Sequence, residues 1–253
     1  MLHAYLYREW MLFARSHLDL GLSLLPPLVT LLFLGVGLAG SIGSIQGIPY
    51  LTFILPGIAV MSLTTSIMNV ASRTFNEGYS PMLREVLSLP GRRATYVAAK
   101  LLFATLLSSA QGLVFLIVGS LAYGLSLTIA NTMLACLALV LVSLTLSGIF
   151  ISLAVLMKDM AKFIVTSNVL GQVLIWGSTI FAPSENMPTA LQVLSYANPL
   201  SYGSDLLRHM LLDVPTQGVT AFPVAAWTVL FTAGILFGIS ASRLLSKRVG
   251  LSI

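Results

Sequence analysis

Side chains that could carry acid–base chemistry or bind a metal are missing from the middle of every long apolar run in this 253-residue chain. Those nearest to the runs lie at their ends or between them, namely Asp19, Lys158, Asp159, His3, His17 and His209. An ionisable group inside a membrane is costly and is usually kept for proton transfer, ion binding or coupled transport. The pattern therefore argues against an ion-driven carrier, an intramembrane protease and a metal-dependent membrane enzyme.

Nucleotide and thiol chemistry are not indicated either. No Lys directly follows a Gly, so the Gly-x-x-x-x-Gly-Lys stretch that cradles phosphates is missing. The single Cys136 lies inside an apolar run and allows neither a disulfide framework nor a thiolate metal site. We expect no enzyme activity, metal or cofactor in this chain, so that work against a gradient would need ATP supplied by another chain.

The polar side chains that remain in or near the runs include uncharged amides, among them Asn69, Gln111, Asn168 and Gln172. The last two are one helical turn apart on the same face. Hydrogen bonds between membrane helices, worth about 0.6 kcal/mol on average, would explain them. Lining of a polar pathway is the alternative, and the sequence leaves both interpretations open.

Six apolar runs supply the elements that must position these residues. Each is close to the roughly 20 residues that a helix needs to cross a bilayer, and they cover residues 20–39, 52–71, 101–123, 133–157, 163–182 and 222–242. With 57% hydrophobic and 8% charged residues, the runs and their connections leave no room for a soluble catalytic domain. The sequence predicts an all-α membrane protein of six transmembrane helices, a single domain over residues 1–253.

The positive charges orient these helices. Twelve of the thirteen Lys and Arg residues fall in alternate gaps or near the termini, and only Arg208 lies on the opposite side. Because cytoplasmic loops are enriched in Lys and Arg, both termini are predicted to face the cytoplasm. The net charge of +5 is then explained by anionic membrane lipid, and we expect no nucleic-acid partner.

The first twenty residues predict an amphipathic helix in the cytoplasmic interface rather than a cleaved signal peptide. On a helical wheel, one arc is polar and the opposite arc apolar, with Arg8, Glu9 and Arg15 in the first and Leu6, Trp10 and Phe13 in the second. This helix could simply anchor the first span, or it could also contact a partner.

The segment between the second and third runs, residues 73–93, predicts a short helix that reaches into solvent. Pro81 suits a first helical position, and Pro90 with Gly91 ends the segment. Between these prolines the chain has an apolar and a polar face, formed by Leu83, Val86 and Leu87 and by Arg84, Glu85 and Ser88. Such a helix can dock into a groove on a partner or lie on the lipid surface, and composition alone favours neither.

The connections on the other side differ in length. Residues 40–51 and 124–132 are predicted to be simple turns. Residues 183–221 contain four prolines, yet apolar positions recur between them at helical spacing, so we expect two short outer helices before the last span. In that last run, Gly234 and Gly238 have a GxxxG spacing that serves packing within the chain or a dimer contact.

In their order along the chain, these features resemble the ABC type-2 permease family, the membrane subunits of exporters such as drug-resistance, Nod-factor, O-antigen and teichoic-acid exporters. In the segment 73–93, the later half of the family pattern is matched by Leu83, Glu85, Val86, Leu87, Pro90 and Arg93, whereas Pro81 stands where the family often has glycine. In the outer segment, the family motifs are matched by Phe181, Pro183, Pro188, Leu191, Asn198, Pro199, Leu200, Tyr202 and Arg208. Leu55-Pro56-Gly57 at the start of the second span is also similar.

This resemblance implies a half-transporter in the bacterial plasma (inner) membrane. Two copies of this chain, or one copy with a paralogous permease, would face each other above two copies of a separate ABC ATP-binding subunit, which would hold ATP and Mg. The helix at 81–90 would be the coupling helix, with Arg84 and Arg93 among its docking residues. The amino-terminal helix would be a second interface element.

Only the lack of charge along the presumed path indicates which kind of molecule the protein could carry. That lack favours an apolar or amphipathic molecule, such as a lipid-linked compound or a hydrophobic drug, and leaves an uncharged glycan open. The alternatives to an exporter subunit are a non-transporting membrane scaffold and a secondary carrier driven by an ion gradient.

Overall fold

The structure is a computed structural model that describes residues 2–15, 17–78, 93–123, 128–212 and 223–251. Apart from one small β-hairpin, the elements in these ranges are helices, which confirms the all-α prediction. Helices pair their own backbone groups, as a chain surrounded by lipid must do.

The first apolar run is helical from end to end but not uniform. Helix α1 (Leu2–Ala14) is followed by α2 (His17–Thr30), a π-helical segment (Leu31–Val36) and α3 (Gly37–Ile42).

Two prolines, Pro26 and Pro27, lie inside α2. Since Pro27 has no N–H to donate to the carbonyl of Ser23, the amide of Gln111 donates to that carbonyl instead, at 3.3 Å. The hydroxyl of Ser23 also donates to the Gln111 side-chain oxygen, at 3.4 Å. Gln111 therefore makes the interhelical hydrogen bonds expected of the amides.

A two-stranded antiparallel hairpin, β1 (Ser44–Ile45) and β2 (Ile48–Pro49), follows α3. Its turn residues Gln46 and Gly47 both have positive φ, 53° and 79°, as tight hairpin turns require. The short turn predicted within residues 40–51 is confirmed.

Three long helices form the centre of the bundle: α4 (Tyr50–Gly78), α5 (Arg93–Tyr123) and α6 (Ile129–Leu156). Helix α4 contacts α2, α5 and α6, and 78% of its most apolar stretch is buried. For α10 (Pro223–Leu251) the same fraction is 22%, so α4 is central and α10 peripheral.

Small residues set the distance between α6 and α10. A Cβ on Gly148 of α6 would lie 2.6 Å from the Cβ of Phe237, closer than two carbons can approach. Gly234 faces Leu144 and Thr145 of α6, and the hydroxyl of Thr145 donates to the carbonyl of Leu230 at 3.3 Å. Gly234 therefore packs within the chain, whereas a Cβ on Gly238 would meet nothing within 4 Å, so the interpretation of the full GxxxG spacing stays a prediction.

Helix α7 (Met160–Trp176) and the outer helices follow α6. Asp159 caps α7 by accepting the backbone N–H of Lys162 at 2.9 Å. The helix ends at Trp176, six residues before the predicted end of the fifth run at 182, and its C-cap Gly177 lies so close to Leu194 that a Cβ there would clash with it. A 3₁₀ turn, α8 and α9 then follow (Ser184–Asn186, Thr189–Ala197, Pro199–Leu212), which confirms two short helices in the outer segment.

Within the described residues, four helical stretches are long and apolar enough to cross a membrane: Tyr50–Gly78, Thr95–Tyr123, Ile129–Leu156 and Val224–Ala241. The first and fifth predicted runs correspond to shorter apolar stretches, Ser23–Leu34 and Met160–Trp176. The chain is therefore a multi-pass helical membrane protein, and its count of six spans stays a prediction.

Candidate functional site at the ends of α4 and α5

Helix α1 lies along α5 and meets it through three side-chain pairs, Tyr5–Tyr96, Glu9–Lys100 and Phe13–Phe103. The two aromatic pairs meet edge to face, with ring centroids 5.8 and 6.0 Å apart. Because residues three or four positions apart lie on one face of a helix, the three pairs form a continuous seam. An ion pair thus lies between two aromatic contacts.

Lys100 is the centre of this seam. Its ammonium group donates to Glu9 Oε2 of α1 at 2.8 Å and to Glu77 Oε1 of α4, also at 2.8 Å. Only 1% of the Lys100 side chain is exposed. One buried cation therefore joins three helices.

Arg8 and Tyr96 complete the arrangement around Glu77. Arg8 Nη1 donates to Glu9 Oε1 at 2.9 Å and to Glu77 Oε2 at 3.3 Å. The hydroxyl of Tyr96 donates to Glu77 Oε2 at 2.8 Å. We call Arg8, Glu9, Glu77, Tyr96 and Lys100 the charge cluster; its two cations balance its two carboxylates.

The electrostatics keep Arg8 charged. Burial by itself would lower the pKa of Arg8, but the nearby carboxylates of Glu77 and Glu9 outweigh burial and raise the pKa above its ordinary value. Removing one member of a buried ion pair costs about 3–5 kcal/mol because the partner is left without compensation. The cluster is therefore an all-or-none unit.

The charge cluster lies near the end of α4 and the start of α5. Glu77 is next to the last residue of α4, Gly78, and α5 begins at Arg93. The predicted docking residues Pro81, Leu83, Arg84, Glu85, Val86, Leu87 and Pro90 lie outside the described residues. The cluster thus fastens α1 to the two helix ends that flank residues 79–92.

The predicted interface residues of α1 are divided between its two faces. Glu9 and Phe13 are buried, and Leu6 packs partly against the core. Trp10, by contrast, is 57% exposed, and Arg15 is exposed. Glu9 therefore meets Lys100 within the bundle, and the Trp10 ring lies outside it. That α1 lies in the membrane interface stays a prediction.

A second buried ion pair holds the outer segment. Arg208 of α9 donates through Nε to the carbonyl of Phe53 at 3.1 Å, through Nη2 to the carbonyl of Ile180 at 2.5 Å and through Nη1 to Asp205 Oδ1 at 3.0 Å. Its guanidinium also lies 4.0 Å from the centre of the Phe53 ring. The hydroxyl of Thr179 donates to Asp205 at 2.7 Å. We call Phe53, Thr179, Ile180, Asp205 and Arg208 the outer clamp, since they tie α9 to α4 and to the chain after α7.

The amide of Asn198 fastens the start of α9. It donates to the carbonyl of Leu174 at 2.6 Å, and its oxygen accepts the backbone N–H of Leu200 at 3.0 Å. Since Leu174 is in the last turn of α7, its carbonyl has no partner further along that helix.

The other outer residues singled out by the sequence play smaller parts. The Tyr202 hydroxyl donates to the carbonyl of Tyr196 at 2.7 Å. Phe181 stacks at 4.9 Å on Trp176. Pro183 precedes the 3₁₀ turn, Pro188 precedes α8, and Pro199 is the first residue of α9. At the start of a helix the N–H that proline lacks would have no partner within the helix, so proline is tolerated there.

One face of α7 carries amides away from the bundle. Asn168 and Gln172 are both exposed; Asn168 donates to the carbonyl of Ile164, and Trp176 donates to the Gln172 oxygen, at 2.8 and 2.9 Å. In the described part of the chain these hydrogen bonds stay within α7. The interhelical bonds expected for these two amides are therefore not made here.

Sequence reasoning missed Lys100 and Asp205 as members of these clusters. It counted Lys100 only among the positive charges that orient the helices, and it assigned no role to Glu77. The available signal was the spacing of Tyr5, Glu9 and Phe13, one turn apart on an otherwise exposed helix.

Comparison with known proteins agrees with this geometry. The model of the ABC-2 type transporter family matches residues 2–212 of this chain. The inner membrane transport permease YadH of Escherichia coli K12 is 28% identical over 230 residues, an alignment that covers 82% of this chain and 87% of that protein. Nodulation protein J of Sinorhizobium fredii NGR234 is 26% identical over 219 residues, covering 78% and 75%. Since the family model spans most of its length, including both clusters, this chain belongs to the ABC-2 type transporter family.

Proposed function

We propose that this chain is the membrane-spanning permease subunit of an ATP-driven exporter, with six spans and both termini in the cytoplasm of a bacterial inner membrane. The observation that carries the proposal is the family match over residues 2–212, which includes the whole cytoplasmic charge cluster. Relatives named as an inner membrane transport permease and as Nodulation protein J support it.

In this proposal a separate ABC ATP-binding subunit supplies the energy. This chain has no Gly-Lys pair for a phosphate cradle, so ATP and Mg²⁺ would bind in the partner. The partner would dock on residues 81–90 and Arg93, the proposed coupling helix, and on α1. The charge cluster supports this role, because it fastens α1 to the ends of the two helices that carry the coupling segment.

A second copy of the chain, or a paralogous permease, would complete the pathway. The exposed amides of Asn168 and Gln172 favour a protein or aqueous neighbour over lipid, because lipid tails offer no hydrogen-bond partner. The α7 face would then lie along the path between subunits. Its mixture of exposed apolar side chains, such as Val165 and Val169, with uncharged amides fits an amphipathic cargo, such as a lipid-linked molecule, a hydrophobic drug or an uncharged glycan, better than a small ion.

Purification of the tagged chain with its ATP-binding subunit tests the proposal. We expect a complex whose mass corresponds to two permease and two ATPase chains. Leu87→Asp, or Arg84→Glu combined with Glu85→Arg, should abolish the association while membrane insertion stays intact. Lys158→Glu, an exposed charge change in the other cytoplasmic connection, serves as the control.

Two outcomes would overturn the proposal. A chain that inserts normally but never associates with an ATPase would be a scaffold. A purified chain that moves cargo in vesicles in response to an ion gradient, without ATP, would be a secondary carrier.

A further inference from the structure

Lys100 is buried in a way that topology does not explain. A Lys that only orients a membrane protein lies at the water interface, as the exposed Lys158 and Lys162 do. Lys100 instead has 1% of its side chain exposed. Burial of an ammonium group is unfavourable unless carboxylates compensate it closely, and two carboxylates do so here, each at 2.8 Å.

These two carboxylates come from distant parts of the chain. Glu9 is 91 positions from Lys100 and belongs to α1, whereas Glu77 is 23 positions away and belongs to α4. Without the ammonium group, the two carboxylates on different helices would share the single positive charge of Arg8 and would repel each other across a medium that screens poorly. The cation therefore attracts α1 and the end of α4 to the same point on α5.

The remaining contacts determine how a movement of α1 is transmitted to its neighbours. The ring pairs on either side of Lys100 hold α1 parallel to α5, so α1 cannot roll without breaking them. Only residues 15 and 16 separate α1 from α2, and α2 contains the start of the first apolar run. A displacement of α1 is therefore passed to that run.

We propose that Lys100 is a positioning residue that makes α1 and the adjoining ends of α4 and α5 move as one body, so that a movement imposed at residues 79–92 also reaches the first apolar run. This inference rests on the proposed function, because the ATP-binding subunit supplies the movement. Transmission through a rigid packed unit of this kind needs no bond to be made or broken.

The experiment measures the distance between α1 and α4 in the purified complex with its ATP-binding subunit. In a Cys136→Ser background, spin labels replace Tyr7, which is 58% exposed on α1, and Asn76, which is exposed near the end of α4. Distances are recorded without nucleotide and with Mg-ATP trapped by vanadate. The unmodified cluster should give one narrow distance that is the same in both states.

Lys100→Met should lose this behaviour, giving a broad distribution that changes on trapping. Lys100→Arg, which can still reach two carboxylates, should restore the single distance. Lys162→Met removes an exposed Lys by the same substitution and should leave the distance unchanged. A role in folding alone would not make the distance depend on nucleotide.

A neutral variant keeps the test decisive if Lys100→Met does not fold. Glu77→Gln and Lys100→Met together remove one carboxylate and one cation of the cluster and leave Arg8 paired with Glu9 at 2.9 Å. If this variant, or Lys100→Met, keeps one narrow distance in both states, the inference is wrong while the proposed function stands. If the unmodified chain binds no ATPase subunit, the proposed function fails first and the inference with it.

Discussion

Replacement of Arg208 by Met should strongly destabilise the outer part of the bundle. Met keeps much of the length and apolar bulk of the Arg stem, so the change removes the guanidinium while creating little cavity. Two backbone carbonyls, those of Phe53 and Ile180, lose their charged donor, and Asp205 loses its cation. We expect the free energy of unfolding to fall by about 3–5 kcal/mol, the usual cost of breaking a buried ion pair from one side.

A second substitution separates the effect of the unpaired Asp205 carboxylate on stability from the effect of the lost hydrogen bonds to the two carbonyls. Adding Asp205→Asn to Arg208→Met removes the unpaired carboxylate but leaves the two carbonyls without the guanidinium. This double variant should recover roughly 1–3 kcal/mol, the penalty of an unsatisfied buried polar group. Arg208→Lys should be intermediate, because an ammonium group lacks the planar fork that reaches several acceptors at once.

Unfolding in mixed detergent micelles, followed by tryptophan fluorescence over a titration with SDS, measures these differences. Arg15→Met is the matched control, since Arg15 is exposed and surface substitutions usually change stability by less than about 0.5 kcal/mol. If Arg208→Met is no more destabilising than Arg15→Met, the outer clamp does not hold the outer segment. If the double variant is less stable than Arg208→Met alone, the unpaired carboxylate of Asp205 is not what destabilises the single variant.

Two further substitutions test the close contacts of the same region, in the same assay. Gly57→Ala would place a Cβ 2.8 Å from the carbonyl oxygen of Ile180, so it should lower the free energy of unfolding by about 1–3 kcal/mol through overpacking. Gly40→Ala is the control, because open space surrounds Gly40 and the change should not destabilise the protein. Equal effects of the two substitutions would contradict the packing argument. Asn198→Ala should cost roughly 1–3 kcal/mol because it leaves the carbonyl of Leu174 without its donor; a loss below the error of the titration would show that water replaces the amide.

Much of the fold could be predicted because membrane helices depend on local features. Length and hydropathy located the helices at 52–71, 101–123, 133–157 and 222–242, and the structure extends each by a few residues at one or both ends. The ends of these helices were predicted less accurately than their positions. Hydropathy detects where the lipid begins, and a helix can continue beyond that point into water. The fifth run was an error of the other kind, because α7 ends at Trp176, where the next residue, Gly177, lies close to Leu194.

The candidate sites were predicted only in outline. The wheel identified α1 and grouped Glu9 with its polar residues, but a helical wheel gives the direction of a side chain and not the group that it contacts. The charge count included Lys100 but could not show that the residue is buried. Arg208 was singled out through the family resemblance, without its partners.

By itself, the amino-acid sequence determined that this is an all-α membrane protein, that its positive charges favour one orientation and that it resembles an ABC type-2 permease. These conclusions need only the order of apolar, charged and turn-forming residues. The tertiary structure alone decided that Lys100 joins Glu9 to Glu77 and that Arg208 joins α9 to α4. Such contacts connect residues up to 155 positions apart, and whether a charge is buried against its partner depends on how the helices pack.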